Sequence, residues 1–70
     1  DEFSELSPGV HVSGRCKISK YCSIGTGAVI LPNITIGNEV TIGAGSVVTK
    51  NIDNNLIVAG VPARILNKRK

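Results

Sequence analysis

The sequence predicts an all-β solenoid, a parallel β-helix of hexapeptide repeats. The first observation behind this prediction is an aliphatic residue at every sixth position, without a gap, from residue 6 to residue 48. The series is Leu6, Val12, Ile18, Ile24, Ile30, Ile36, Ile42 and Val48. A fixed short repeat is typical of solenoids, in which each unit stacks on the next. Neither this spacing nor a two-residue spacing keeps an apolar stripe on one face of an α-helix, so the pattern excludes helices here.

The second observation is another small or aliphatic residue two positions before each member of the series. From the second repeat onward these residues are Val10, Cys16, Cys22, Ala28, Ile34, Val40 and Ser46. Because side chains alternate along a strand, each repeat directs two side chains inward with one outward between them. Gly, Ser, Pro or Asn occupies most of the next three positions, where the chain must turn. We therefore expect short strands in about two and a half coils.

The six-residue rhythm lapses after Ile52, which divides the chain into two segments. We assign residues 1–53 to the repeats and residues 54–70 to a C-terminal segment of the same domain. In the latter, residues 56–59 predict an apolar strand that caps the lower end of the solenoid, and residues 60–63 break the chain. The first repeat starts almost at Asp1, without a segment to cap it, so we expect the chain to be a piece of a longer protein.

Three repeats per coil would stack residues 18 apart and sort the outward positions into three faces. The predicted faces carry His11, Val29 and Val47; Lys17, Thr35 and Asp53; and Glu5, Ser23 and Thr41. The first face is the apolar one, and Leu31 lies at its next corner. A domain of 70 residues rarely buries enough apolar surface to be stable alone, so we expect this face to contact other copies of the chain. Exposed valines without any partner are the alternative.

Charge and cysteine content restrict the classes of partner. The net charge of +3 comes from the chain end, where Arg64, Lys68, Arg69 and Lys70 cluster. A short basic end fits a solvated tail or a local site for an anionic ligand. It lacks the aromatic residues that stack on bases, so no nucleic-acid partner is predicted. Cys16 and Cys22 read as small inward side chains. No apolar run is long enough for a membrane span, and we expect a cytoplasmic protein.

Two features can carry chemistry. His11 is the sole histidine and the one plausible acid or base, with a bystander role as the alternative. A single histidine cannot build a three-histidine metal site, so no metal is predicted.

The glycine corners 24–27 and 42–45 are 18 residues apart and stack in a three-sided coil. Their backbone N–H groups can form a ladder that grips an extended ligand, but turns also need glycine for steric reasons. Both interpretations remain open.

Three runs of residues carry a family resemblance. The runs IGTGAVILPNITIG at 24–37, IGAGSVVTK at 42–50 and VAGVPAR at 58–64 resemble the C-terminal part of the hexapeptide-repeat acetyltransferases. Within that superfamily they are most similar to sugar acetyltransferases of the sialic-acid O-acetyltransferase and UDP-4-amino-sugar N-acetyltransferase type. The resemblance covers residues 3–66. It implies a left-handed β-helix, a homotrimer, acetyl-CoA in the groove between neighbouring solenoids, and a sugar or nucleotide sugar as acceptor.

The resemblance also implies roles for individual residues. The amides of Thr26 and Ala44, flanked by Gly25 and Gly43, match the acetyl-CoA contacts of the family. Glu5 takes the place of a histidine that contacts the acetyl carbonyl, and the general-base histidine falls ahead of Asp1. We therefore expect the acetyl-CoA-binding and trimerising part of a sugar acetyltransferase, with the 70 residues alone inactive. The alternative is a non-catalytic module that serves only to trimerise or to dock partners.

Overall fold

A computed structural model describes residues 4–68 and shows a left-handed parallel β-helix of about three turns. Its first eight strands have two residues each. They are β1 (Glu5–Leu6), β2 (His11–Val12), β3 (Lys17–Ile18), β4 (Ser23–Ile24), β5 (Val29–Ile30), β6 (Thr35–Ile36), β7 (Thr41–Ile42) and β8 (Val47–Val48). Two longer strands follow, β9 (Leu56–Ala59) and β10 (Arg64–Lys68). The predicted fold class is confirmed.

The strands stack into three sheets, one on each side of the coil. Their orders are β1-β4-β7-β9-β10 for face A, β2-β5-β8 for face B and β3-β6 for face C. Partners between successive coils are parallel and 18 residues apart, as in the pairs Glu5 with Ser23 and His11 with Val29. Further pairs join Ser23 to Thr41 and Val29 to Val47. The predicted composition of faces A and B is therefore confirmed.

The predicted place of Asp53 on face C is wrong. Ile36 forms a bridge with Ile52, two residues earlier than an 18-residue step requires. The same shortening places Ile57 opposite Thr41 on face A. Because the last coil is two residues shorter than those before it, Asp53 does not lie over Thr35.

The core is the stack of inward aliphatic side chains in the second and third coils. Its members are Cys22, Ile24, Ala28, Ile30, Ile34, Ile36, Val40, Ile42, Val48, Ile52 and Val58. Leu6 and Val12, which the periodicity places inside, have exposed fractions of 54% and 37%. They belong to the first coil, and within residues 4–68 nothing stacks on its outer side. The prediction that they are buried is wrong for this reason.

The C-terminal segment forms a hairpin. Strand β9 coincides with the strand predicted at 56–59 and pairs with β7, and β10 returns antiparallel to β9 with a bulge between Ile65 and Asn67. Leu56 and Ala63 pack against the core. A cavity of about 330 Å³ lies between the last coil and the hairpin, so the segment covers part of this end. The charged residues Asp1, Glu2, Arg69 and Lys70 lie outside the described residues.

The two cysteines are free and point their thiols at backbone carbonyls. Cys22 is buried and Cys16 half-buried, and their Sγ atoms donate to the carbonyl oxygens of Gly37 at 3.1 Å and Leu31 at 3.0 Å. This confirms the interpretation of both as small inward side chains. Within residues 4–68 no helix has the length and apolar character that a membrane span requires. The same residues contain no group of three or more His, Cys, Asp or Glu side chains that could hold a metal ion.

Candidate functional site

The corners between strands stack into three edges of the solenoid. The glycine edge comprises residues 7–10, 25–28 and 43–46, between faces A and B. The asparagine edge comprises residues 19–22, 37–40 and 53–55, between faces C and A. The third edge comprises residues 13–16, 31–34 and 49–51, between faces B and C. The glycine edge contains the stacked glycine corners that the sequence predicts.

The third residue of every corner on the glycine and asparagine edges adopts the left-handed backbone conformation. On the asparagine edge these residues are Tyr21, Glu39 and Asn55, with φ between 58° and 62°. At the same position the glycine edge has Gly9, Gly27 and Gly45, with φ between 70° and 80°. Since ordinary residues adopt this conformation elsewhere in the same fold, the turn alone does not explain these glycines.

Packing does not explain Gly27 and Gly45 either. A Cβ atom built on either residue has no heavy atom within 4 Å. A side chain at these positions would therefore project into open space along the edge. The two glycines keep the left-handed position of this edge free of side chains, which favours the ligand interpretation of the glycine corners over the purely steric one.

The backbone amides distinguish the edges further. On the asparagine edge the second corner residue is capped from the next coil: the Lys20 N–H donates to Asn38 Oδ1 at 3.1 Å, and the Asn38 N–H donates to Asn54 Oδ1 at 2.7 Å. At the equivalent position of the glycine edge, the N–H groups of Thr26 and Ala44 donate to no acceptor among the described residues. Two amides on adjacent coils are therefore available to a ligand.

The third edge lacks such a row. The Gly14 N–H also has no acceptor among residues 4–68, but the next coil has Pro32 at the same position. Proline has no N–H, so the row is interrupted. This leaves the glycine edge with two free amides in succession and no side chain at the neighbouring left-handed position.

Close contact between coils holds these amides in line. A Cβ atom on Gly25 would lie 2.5 Å from the Ala44 nitrogen and 2.8 Å from its Cα, and one on Gly43 would lie 2.9 Å from the Ala59 Cβ. Real Cβ atoms do not approach other heavy atoms so closely, so glycine is required at both positions. The amides of Thr26 and Ala44 then repeat at about the 4.8 Å spacing of neighbouring strands.

The remaining predicted site residues flank the same edge. Glu5 in β1 and His11 in β2 precede and follow the first corner of the glycine edge, and both side chains are exposed. Glu5 stacks on Ser23 and His11 on Val29. The structure thus gathers Glu5, His11 and the two predicted corners around one edge.

Sequence reasoning missed the role of Ser46. Its side chain is fully buried, and its Oγ accepts a hydrogen bond from the Gly60 N–H at 3.1 Å. The sequence feature that could have revealed it is a hydroxyl at an inward position, where the other members of the series are aliphatic residues, alanine or cysteine.

Comparison with known proteins identifies relatives of this architecture. A family model described as bacterial transferase hexapeptide (six repeats) matches residues 15–50. The galactoside O-acetyltransferase of Escherichia coli strain K12 is 51% identical over 45 residues, which are 64% of this chain and 22% of that protein. The chain spans between 19% and 32% of the length of the curated relatives it matches.

Solved structures agree with this assignment. The serine acetyltransferase from Brucella abortus strain S19 has a TM-score of 0.93 and 40% identity, covering 97% of this chain and 31% of that chain. The acetyltransferase domain of PglB from Neisseria gonorrhoeae FA1090, in complex with acetyl coenzyme A, has a TM-score of 0.88 and 43% identity, covering 90% and 31%. Since the family model matches more than half of its residues, the chain belongs to the bacterial transferase hexapeptide family.

Proposed function

We propose that this chain is the acetyl-CoA-binding and trimer-forming part of an acetyltransferase. The enzyme transfers the acetyl group of acetyl-CoA to an amine or hydroxyl of a sugar or nucleotide sugar. The observation that carries the proposal is the pair of free amides at Thr26 and Ala44, each followed by a glycine, Gly27 or Gly45, that leaves the next position without a side chain.

The chemistry of the edge fits acetyl-CoA. The pantetheine arm of this molecule is long and narrow and carries amide carbonyls, which need N–H donors when they leave water. Thr26 and Ala44 offer such donors on successive coils, and the bare glycines let the arm lie against the backbone. Acetyl-CoA supplies the activated acetyl group, while these residues bind and orient it.

Transfer of the acetyl group also needs a group that accepts the proton of the acceptor amine or hydroxyl. His11 is the one imidazole of the chain and lies beside the glycine edge, so it is the candidate. Glu5 occupies the place at which the family resemblance expects a histidine that contacts the acetyl carbonyl. An ionised carboxylate only accepts hydrogen bonds and cannot stabilise a developing oxyanion. We therefore expect the 70 residues to bind acetyl-CoA without efficient turnover.

The sugar acceptor rests on the resemblance of residues 24–37, 42–50 and 58–64 to sugar acetyltransferases. The galactoside O-acetyltransferase among the relatives supports a sugar as acceptor. The serine acetyltransferase from Brucella abortus is instead named for an amino-acid acceptor. A hydroxyl is common to both acceptors. To distinguish the two acceptor classes, the rate of acetyl transfer to a galactoside or an amino sugar is compared with the rate of transfer to serine, in the protein that contains this chain.

The trimer rests on face B. Val29 and Val47 are half-buried, lie in register on adjacent coils and are accompanied by Leu31 at the following corner, with an exposed fraction of 37%. Apolar side chains in register favour contact with another copy. Because face B borders the glycine edge, such contact would place that edge in a groove between copies. A structural module would use the same face without binding a ligand, so ligand binding separates the two functions.

Replacement of Thr26 by proline tests the proposal. Pro8 and Pro32 already occupy the second corner position, so the fold accepts proline there while the free N–H is removed. We expect the wild-type protein to bind acetyl-CoA in a calorimetric titration and Thr26→Pro to bind about five- to tenfold more weakly, as expected for one lost hydrogen bond. Gly14→Pro removes an equally free amide on the third edge and is the matched control.

The outcomes are distinct. Absence of binding to folded wild-type protein overturns the ligand part of the proposal and favours the structural module. Equal affinity of wild type and Thr26→Pro excludes the Thr26 amide as a contact, and an equal loss in Gly14→Pro attributes the effect to the proline itself. Sedimentation velocity on the same samples measures the mass of the assembly, and a monomer overturns the trimer.

A further inference from the structure

Ser46 is the one buried polar side chain among residues 4–68. We propose that it is a positioning residue for acyl-CoA binding, because its hydroxyl holds the turn 60–63 against the end of the glycine edge, next to the free amide of Ala44. The inference rests on the proposed function and adds a residue that does not contact the ligand itself.

Three hydrogen bonds attach the turn to the chain directly after the Ala44–Gly45 corner. The Gly60 N–H donates to Ser46 Oγ at 3.1 Å. The Val47 N–H donates to the Gly60 carbonyl at 3.0 Å, and the Ala63 N–H donates to the Val47 carbonyl at 2.8 Å. Both ends of the turn are therefore held by Ser46 and Val47, and the Ser46 hydroxyl is the side-chain contribution.

The register of face A brings the chain to the end of the glycine edge. Thr41 pairs with Ile57 and Ile42 with Val58, and Gly43 lies so close to Ala59 that a Cβ on it would be 2.9 Å from the Ala59 Cβ. By this count Gly60 is the counterpart of Ala44, and its N–H is the one bonded to Ser46 Oγ. The next residue, Val61, has an N–H without an acceptor among the described residues and a side chain that is 73% exposed. The turn therefore brings a further free amide next to the end of the glycine edge, one residue beyond the column of Thr26 and Ala44.

The hydroxyl couples the turn to the core because a buried polar group must keep its partner. A buried hydroxyl without a hydrogen bond is costly, so Ser46 favours the arrangement in which Gly60 stays in place. One coil earlier the same column has Ala28, which is equally buried and has no terminal turn beside it. The hydroxyl is therefore specific to the coil on which the turn lies.

The Ser46→Ala variant tests the inference in the same protein. Ala28 shows that alanine fits this column, so we expect the fold and the assembly to persist. Acetyl-CoA affinity should fall about fivefold, and amide hydrogen exchange should rise at Gly60 and Ala63 but not at Ile24 or Ile30 in the core. Ser46→Thr keeps the hydroxyl and has the shape of Val10, which occupies the same column, and it should restore both properties. Ser19→Ala removes the same atom at the asparagine edge and should change neither.

A Ser46→Ala protein that binds acetyl-CoA as tightly as wild type overturns the inference, and so does a loss of affinity that Ser46→Thr fails to restore. In a turnover assay of the enzyme that contains this chain, Ser46→Ala should raise the KM for acetyl-CoA with little change in kcat, because the residue positions the ligand and takes no part in the reaction. A fall in kcat at unchanged KM contradicts it. Failure of the wild type to bind acetyl-CoA is a separate result, which overturns the proposed function instead.

Discussion

The glycine edge and the asparagine edge are built from the same corner, repeated in the same coils, yet they treat their backbone in opposite ways. At the asparagine edge, Asn38 and Asn54 cap the amides of the coil before them. At the glycine edge, the equivalent residue is Ala44, which has no acceptor in its side chain, and the Thr26 amide stays free. Left-handed corner positions hold Tyr21 and Glu39 at one edge and glycine at the other.

This difference shows that a bare edge is not a requirement of the fold. A hydrogen bond of the kind made by Asn38 contributes roughly 0.5–1.5 kcal/mol, and left-handed glycines cost additional backbone entropy. The glycine edge lacks this hydrogen bond and carries the entropic cost of the left-handed glycines. Departures from the locally most stable choice are expected at functional sites, so the comparison itself points to the glycine edge as the site.

The largest effect expected from this comparison concerns glycines within one corner. Gly25→Ala would place a Cβ 2.5 Å from the Ala44 nitrogen, so the coils must separate, and we expect a loss of about 3 kcal/mol in the free energy of unfolding. Gly27→Ala meets nothing within 4 Å and should cost only about 1 kcal/mol through its positive φ. Urea denaturation of both variants measures the difference. Equal losses of stability in the two variants would mean that close contact between the coils is not the reason for glycine at position 25.

A second prediction converts one edge into the other. Ala44→Asn places a side-chain acceptor 18 residues after Thr26, which is the same separation as that between Lys20 and its acceptor Asn38. The variant should therefore raise the free energy of unfolding by about 1 kcal/mol. The same change occupies the Thr26 N–H, so acetyl-CoA affinity should fall about tenfold, measured by calorimetry. Thr26→Asn is the control for stability, because its counterpart in the preceding coil is Pro8, which has no N–H to cap. A variant that is stabilised yet binds acetyl-CoA normally would contradict the role of this amide.

The repeat made much of the solenoid predictable. An inward residue at every sixth position and a coil of 18 residues predicted the registers that join His11 to Val29 and Ser23 to Thr41, and both are confirmed. The prediction assumed that every coil has the same length, and it placed Asp53 wrongly because the last coil is shorter by two residues. It also assumed that an inward position is a buried one, which does not hold for Leu6 in the outermost coil.

The stacking of the glycine corners was predictable, whereas the features that make them a candidate site were not. Stacked glycine corners are visible in the sequence, but sequence alone left open whether those glycines serve the turn or a ligand. The preference for the ligand interpretation rests on the backbone angles of Tyr21 and Glu39, which are not residues that sequence rules assign to the left-handed region. The free amides of Thr26 and Ala44 were likewise invisible, because they depend on which side chains of the next coil reach back.

The smallest expected effect completes the comparison. Asn38→Ala removes the acceptor of the Lys20 N–H. Because this corner is exposed, water replaces part of the lost hydrogen bond, so the free energy of unfolding should fall by about 0.5–1 kcal/mol. The affinity for acetyl-CoA should be unchanged. Combined with Ala44→Asn on the opposite edge, the two changes should add, because they share no partner. The double variant should then unfold near the wild-type urea midpoint while binding acetyl-CoA as weakly as Ala44→Asn alone. A double variant that regains affinity would show that the lost binding followed stability and not the edge on which the cap lies.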